Sequence, residues 1–114
     1  DDVVHTHASP RSAVGFLIHA ATMDTAQLGW RRNLSMPGVA ASVGEQLEAL
    51  RKIGGEKALK LVRREPDELI IRIVSGWSRK FNARRATELG FRAETSFEEI
   101  VRAHVEDELG GKVA

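Results

Sequence analysis

A hydroxyl and a guanidinium lie close together where a helix is predicted to begin, in the segment Ser9-Pro10-Arg11. Ser9 is a favoured N-cap residue, and Pro10 has the fixed φ and the missing N–H that suit a first helical position. The free N–H groups of such a helix start attract anions, and an arginine can grip a carboxylate with two parallel hydrogen bonds. Ser9 and Arg11 are therefore the first candidates for binding an acidic ligand, although capping alone would also explain Ser9.

The histidines do not form a recognisable catalytic or metal centre. His5 and His7 would place two imidazoles on one side of a strand, which is half of a metal site, but no third ligand stands at a supporting spacing. His19 and His104 have no acidic residue at a useful spacing, so we expect them to pack and not to act as bases. We predict no catalytic residue and no metal ligand in this chain.

Composition limits the class of protein and its partners. The 114 residues suit one domain covering 1–114, and the lack of cysteine agrees with a reducing, cytoplasmic location. No apolar run approaches the roughly 20 residues of a membrane span. Basic pairs such as Arg84-Arg85 are interleaved with acidic residues and aromatics are scarce, so neither a membrane nor a nucleic acid is predicted as a partner.

The helix that begins at Pro10 should run to about Met23 and is apolar over most of its circumference. Only Ser12, Gly15, His19 and Thr22 form a less apolar line along it. A helix of this kind is normally buried inside a larger structure. We therefore expect part of its partner surface to lie outside this chain.

The remaining sequence predicts an α+β fold, a mostly helical small lobe with about five helices and a few short, irregularly connected strands. Strands are expected at the N-terminus, from Asp1 to Thr6, and later in the chain at 33–36, 39–41 and 57–64. Helices are expected after the cap-like residues Ser42, Pro66, Asn82 and Ser96, with stops at Gly54-Gly55, Ser75-Gly76, Gly90 and Gly110-Gly111.

Several segments together resemble extended short-chain dehydrogenases, the NAD-dependent epimerase/dehydratase family. The resemblance spans about Ser9 to Gly111 and matches the C-terminal part of that family. The segments that carry it are Ser9–Ala21, Met36–Val39, Val43–Leu50, Ile73–Trp77, the Leu-Gly-Phe at 89–91, the Ser-Phe-Glu-Glu at 96–99 and His104–Gly111.

The resemblance implies a substrate-binding domain that packs on its own Rossmann domain, where NAD is bound. It also implies a Tyr-x-x-x-Lys pair and a Gly-rich phosphate-binding turn, but this sequence has no tyrosine and no G-x-x-G-x-x-G or G-x-G-x-x-G pattern. The chain also begins at Asp1 and not at a methionine. We expect a piece of a longer enzyme, inactive alone, whose homodimer would form through the cofactor half.

Within the family, the segments are most similar to a branch that oxidises a small hydroxy acid such as D-erythronate. In resemblance terms, Ser9 and Arg11 fall where the chain passes the active site. Arg72 and Arg79 flank Trp77 in a connection where related enzymes place a phosphate-binding arginine. The alternatives are a solvated Arg72 and a Trp77 in the core or at a domain contact.

Two other functions remain open on the residues alone. The first is the substrate domain of a nucleotide-sugar epimerase or dehydratase, and NAD and NADP are not distinguished. The second belongs to a different class, a small stand-alone interaction or nucleic-acid-binding module in which residues 83–106 imitate a helix-turn-helix. One departure from the family is Asn82, which stands where related enzymes commonly have an acidic cap, so that a charge-based role is lost there.

Overall fold

The computed structural model describes residues 2–113, which form an α+β lobe of five α-helices and a two-stranded sheet. The predicted fold class is therefore confirmed; Asp1, where the first strand was expected to begin, lies outside the described residues. The elements in chain order are β1 (Val4–His7), α1 (Pro10–Thr22), a 3-10 turn (Thr25–Leu28), β2 (Val39–Ser42), α2 (Val43–Leu59), α3 (Glu68–Ser75), α4 (Arg84–Glu88) and α5 (Phe97–Glu108).

Short polar side chains start the longer helices, as the sequence predicts. Ser42 and Glu45 form the complete capping box of α2, with both reciprocal hydrogen bonds present. The box predicted for α5 is formed only in part. Ser96 accepts from the Glu99 N–H, but the Glu99 carboxylate accepts from the backbone N–H of Thr95 at 2.8 Å, one residue before the cap.

Two predicted strands are wrong. Within residues 2–113, neither 33–36 nor 57–64 joins the sheet, because β2 pairs with β1 and no further strand is present. Gly55, with φ of 73°, interrupts α2, but the chain then resumes a helical turn up to Leu59. A positive φ is readily adopted by glycine, so the expected stop becomes a kink and the following residues do not extend.

The sheet is antiparallel, and β1 and β2 pair from Val4 opposite Ser42 to His7 opposite Val39. Gly38 enters β2 directly against β1. A Cβ atom at Gly38 would lie 2.7 Å from the backbone oxygen of His7 and 2.8 Å from the Thr6 methyl group. The backbones approach so closely that only glycine fits.

Replacing Gly38 with alanine should therefore lower stability by about 1–3 kcal/mol, because the backbone of His7 must shift to relieve the overlap. Gly15→Ala is the matched control: apart from its chain neighbours and the backbone of α1 itself, no atom of residues 2–113 lies within 4 Å of a Cβ built at Gly15, in the interior of α1. It should be neutral or stabilise by up to about 1 kcal/mol. Thermal unfolding of the full-length protein with each substitution checks this, and equal melting temperatures would contradict the close contact.

His19 attaches α1 to the connection between α4 and α5. Its Nε2 donates to the Leu89 carbonyl at 2.7 Å, and its ring meets Phe91 edge-on with 4.6 Å between centroids. Gly90, with φ of 94°, passes so close that a Cβ would lie 3.1 Å from the imidazole. The expectation that His19 packs is confirmed, and so is the left-handed glycine that ends α4.

The lobe is flat and buries little. Its Cα extents are 50 × 37 × 18 Å, and its radius of gyration is 16.4 Å, against roughly 13 Å for a globular chain of this length. Its accessible surface is 8489 Å², whereas a folded monomer of 12.6 kDa exposes about 6,200 Å². Among the described residues, the buried apolar side chains are Ala41, Ala49, Ala86, Phe91 and Ala103.

None of the helices in residues 2–113 has the length and apolar character needed to cross a bilayer.

Candidate functional site

The anion-binding start of α1 is occupied by a carboxylate of the chain itself, that of Glu94. Ser9 is only 1% exposed, and its hydroxyl donates to Glu94. The Ser9 backbone N–H also donates to Glu94, at 3.3 Å, and so does the Ser12 hydroxyl, at 2.8 Å. The Ser9 oxygen accepts in turn from the Ser12 N–H, as an N-cap should. Glu94 thus takes the place that a bound acid would occupy.

Burial raises the pKa of the Glu94 carboxyl, but the hydrogen bonds from Ser9, from its own backbone and from Ser12 together outweigh it and hold that pKa below its usual value. Glu94 is therefore ionised at neutral pH. The negative charge of Glu94 thus lies at the N-terminus of α1, where the helix dipole stabilises it.

Arg11 is engaged with α5. Its guanidinium donates to both carboxylate oxygens of Asp107, at 3.0 and 2.8 Å, and to Glu106 at 2.8 Å. The hydrogen bond to Asp107, followed by the one to Glu106, raises the pKa of Arg11, and the bond from Arg11 lowers the pKa of Asp107. The side chain is half exposed. Its role as a substrate-binding residue stays a prediction, and a ligand would compete there with two carboxylates.

The connection at 77–81 runs beside β1, which brings Trp77 and Arg79 to the sheet. The His5 Nδ1 lies 3.3 Å from the Ser78 carbonyl, and the Thr6 hydroxyl donates to the Arg79 carbonyl at 3.1 Å. Trp77 meets His5 edge-on at 5.7 Å and is 59% exposed. Two of the predicted residues therefore lie along β1, and Ser9 follows the end of that strand.

Arg79 also lines a cavity of about 220 Å³ between β1 and α3, with apolar walls that include Val4, Ile70 and Ile71. Arg72, on α3, is exposed, and its side chain has no hydrogen-bond or ion-pair partner in residues 2–113. The structure therefore does not gather the five candidates into one pocket. Ser9, Trp77 and Arg79 follow β1, Arg11 lies against α5, and Arg72 is on α3.

Sequence reasoning missed Glu94. It lies in an irregular connection, with no helical or strand periodicity and no motif to distinguish it from other surface acids. Its partners are 82 to 85 residues away in the chain, so no local spacing connects them. The only available signal was the predicted anion-binding helix start itself. It indicates that an anion binds there but does not identify the residue that supplies it.

The described residues do not fit a nicotinamide cofactor. The turn from β1 into α1 has Ala8 and Ser9 where a Gly-rich phosphate-binding turn would be needed. Glu94 fills the helix end and would repel a pyrophosphate. No cluster of three or more metal-ligating side chains occurs in residues 2–113 either.

Comparison with known structures shows which enzyme the chain is similar to. The fold matches a crystal structure of the nucleoside-diphosphate-sugar epimerase from Agrobacterium tumefaciens with a TM-score of 0.95 and 63% sequence identity. The match covers 99% of this chain and 33% of that one. No protein-family model matches the sequence. The chain is thus homologous to about one third of an enzyme of the epimerase/dehydrogenase type.

Among curated proteins, the chain is similar to two D-erythronate dehydrogenases. It is 36% identical over 99 residues to the enzyme of Cupriavidus necator. That match covers 87% of this chain and 31% of the Cupriavidus necator protein. It is 28% identical over 102 residues to the enzyme of Haemophilus influenzae, covering 90% and 32%. The resemblance drawn from the sequence is confirmed, and the chain spans about a third of the length of the relatives it matches.

Proposed function

We propose that this chain is the C-terminal, substrate-binding lobe of a cytoplasmic, NAD-dependent oxidoreductase that acts on a small hydroxy acid such as D-erythronate. The observation that carries the proposal is the 36% identity with a D-erythronate dehydrogenase across 87% of the chain. The cofactor would be bound by a Rossmann domain outside these residues, and the catalytic Tyr-Lys pair would belong to that domain.

The exposed apolar surface supports docking onto such a domain. No residue of α1 is buried, and Val14, Leu17 and Ile18 are each more than half exposed. The surface exceeds that of a folded monomer of this mass by roughly 2,300 Å². Obligate interfaces bury about 2,000–5,000 Å² in total, counted over both partners, and are largely apolar, so an excess of roughly 2,300 Å² on one partner is large enough for a permanent domain contact.

The direct test is turnover by the full-length enzyme. Purified enzyme supplied with D-erythronate and NAD should form NADH, and supplying NADP in its place decides the cofactor preference. The same enzyme without D-erythronate is the control. Formation of neither NADH nor NADPH with D-erythronate, in an enzyme that melts cooperatively, would rule out the proposed reaction.

The second candidate is a nucleotide-sugar epimerase, favoured by the 63% sequence identity with the Agrobacterium tumefaciens epimerase. A nucleotide sugar has a diphosphate that needs cations, for which Arg72 and Arg79 are the proposed ligands. Epimerisation of a UDP-sugar without net NADH formation, together with no turnover of D-erythronate, would favour this candidate over the dehydrogenase.

The nucleic-acid module is the candidate from a different class, and the contacts of Arg85 weaken it. Arg85 donates to the Leu28 carbonyl at 2.6 Å and to the Arg31 carbonyl at 3.0 Å, so it fixes the 3-10 region. Its neighbour Arg84 pairs with Glu88. Duplex DNA binding measured at two salt concentrations separates the classes, because phosphate-driven binding must weaken steeply with salt.

A further inference from the structure

A second cavity, of about 290 Å³, lies at the C-terminal end of β1. It is close in size to ordinary small-molecule sites, which are mostly apolar with a few placed polar groups. Among residues 2–113, no charged side chain lines it. Its polar groups come from Thr6, His7 and Ser35, and its apolar walls include Phe16, Met36 and Phe81.

His7, at the C-terminal end of β1, adds no charge to the cavity wall. The Gln46 side-chain nitrogen, which can only donate, lies 3.1 Å from the His7 Nε2, so that ring nitrogen accepts. Nδ1 then carries the proton, and it has no partner among residues 2–113. Burial, and next the nearby His5, lower the pKa of His7, which keeps the ring uncharged at neutral pH.

The two hydroxyls, of Ser35 and Thr6, supply hydrogen-bond acceptors and one free donor. Ser35 is exposed, and its hydroxyl has no hydrogen bond within the described part of the chain. The Thr6 hydroxyl gives its proton to the Arg79 carbonyl, which leaves its oxygen lone pairs available. The cavity therefore offers both donors and acceptors without any charge, beside apolar walls.

We propose that this cavity binds the neutral, hydroxyl-bearing end of a polyhydroxylated ligand, with the Ser35 hydroxyl making hydrogen bonds to the ligand hydroxyl groups. The inference rests on the proposed function and deepens it by naming a residue that selects the substrate. Neutral hydroxyls fit such donors and acceptors, whereas burying a carboxylate there without a cation would be costly. The acid group of the ligand is therefore held outside the cavity.

The test uses the full-length enzyme and two probes, D-erythronate and erythritol, the second of which has hydroxyls but no carboxylate. Dissociation constants are measured by calorimetry, and KM is measured for D-erythronate. Ser35→Ala should weaken both probes by about three- to tenfold, the value of one hydrogen bond. Met36→Trp, which fills the cavity, should weaken both by more than about tenfold.

Asn33→Ala is the matched control, since Asn33 is an exposed polar residue of the same segment that does not line the cavity. Near-ultraviolet circular dichroism shows whether each variant keeps its fold. Unchanged constants for both probes in Ser35→Ala and Met36→Trp, or no binding of either probe to the parent enzyme, would overturn the inference. Binding of erythritol that Met36→Trp abolishes, in an enzyme without D-erythronate turnover, would support the cavity and reject the dehydrogenase.

Discussion

Expressed alone, residues 1–114 should fail to form a stable monomer. A chain of this length is expected to bury a sizeable apolar core. The buried apolar residues of 2–113 are only four alanines and one phenylalanine. An alanine buries too little area to offset the ordering of the backbone, which costs about 1–2 kcal/mol per residue. We expect strong binding of a hydrophobic dye, self-association in analytical ultracentrifugation, and no cooperative melting transition.

The same surface should behave differently in the full-length enzyme, where we expect it to be covered. Leu17, 73% exposed in this lobe, is the most informative position on α1. Leu17→Asp should reduce self-association of the lobe alone but lower the melting temperature of the full-length enzyme, because the charge would then be buried at the domain contact. The same substitution would thus make the isolated lobe more soluble and the full-length enzyme less stable.

Gln27→Asp is the matched control for the added charge, since Gln27 is exposed and polar. It should change neither form appreciably. A cooperative, monomeric lobe that does not bind the dye would show that residues 1–114 are self-sufficient. That result would contradict the domain contact proposed for α1.

Glu94→Ala should destabilise the first turn of α1, so that this turn opens more often. The substitution removes the acceptor of the Ser9 N–H, the Ser9 hydroxyl and the Ser12 hydroxyl at once. Loss of hydrogen bonds to a charged group, leaving a buried donor unpaired, should cost about 2 kcal/mol locally. Amide hydrogen exchange in the first turn of α1 should therefore become roughly 30-fold faster in the full-length enzyme.

The pH dependence of this contact follows from the lowered pKa of Glu94. A carboxyl whose pKa is lower folded than unfolded binds fewer protons when folded, so its stabilisation is fully present above the ordinary value of about 4.5. It is lost as the pH falls from that value through the lower folded pKa. Protection of the α1 amides in the parent enzyme should decrease over this range, whereas Glu94→Gln should remove that dependence.

Glu98→Ala is the matched control, because Glu98 is a surface carboxylate that pairs with Lys52 on α2. Exposed ion pairs contribute little, so exchange in α1 should not respond to it. If Glu94→Ala and Glu98→Ala gave the same exchange rates as the parent enzyme, the carboxylate at the helix start would have no positioning role.

Much of the fold could be predicted because it is encoded within a few residues of the chain. Ser9, Ser42 and Ser96 cap their helices through bonds that span three residues. The apolar circumference of α1 predicted a partner outside the chain, and none of its residues is buried here. The strand expected at 57–64 failed because a short apolar run has no periodicity that distinguishes strand from helix.

Local sequence pattern predicted less of the candidate site than of the fold. The sequence alone identified a helix start suited to an anion, with a hydroxyl, free N–H groups and an arginine in the first turn. Only the tertiary structure placed Glu94 on that helix start, paired Arg11 with Asp107, and laid the 77–81 connection along β1. These contacts join residues 73 to 96 positions apart, and such pairs are fixed by how the helices and the sheet pack, which no local spacing of residue types records.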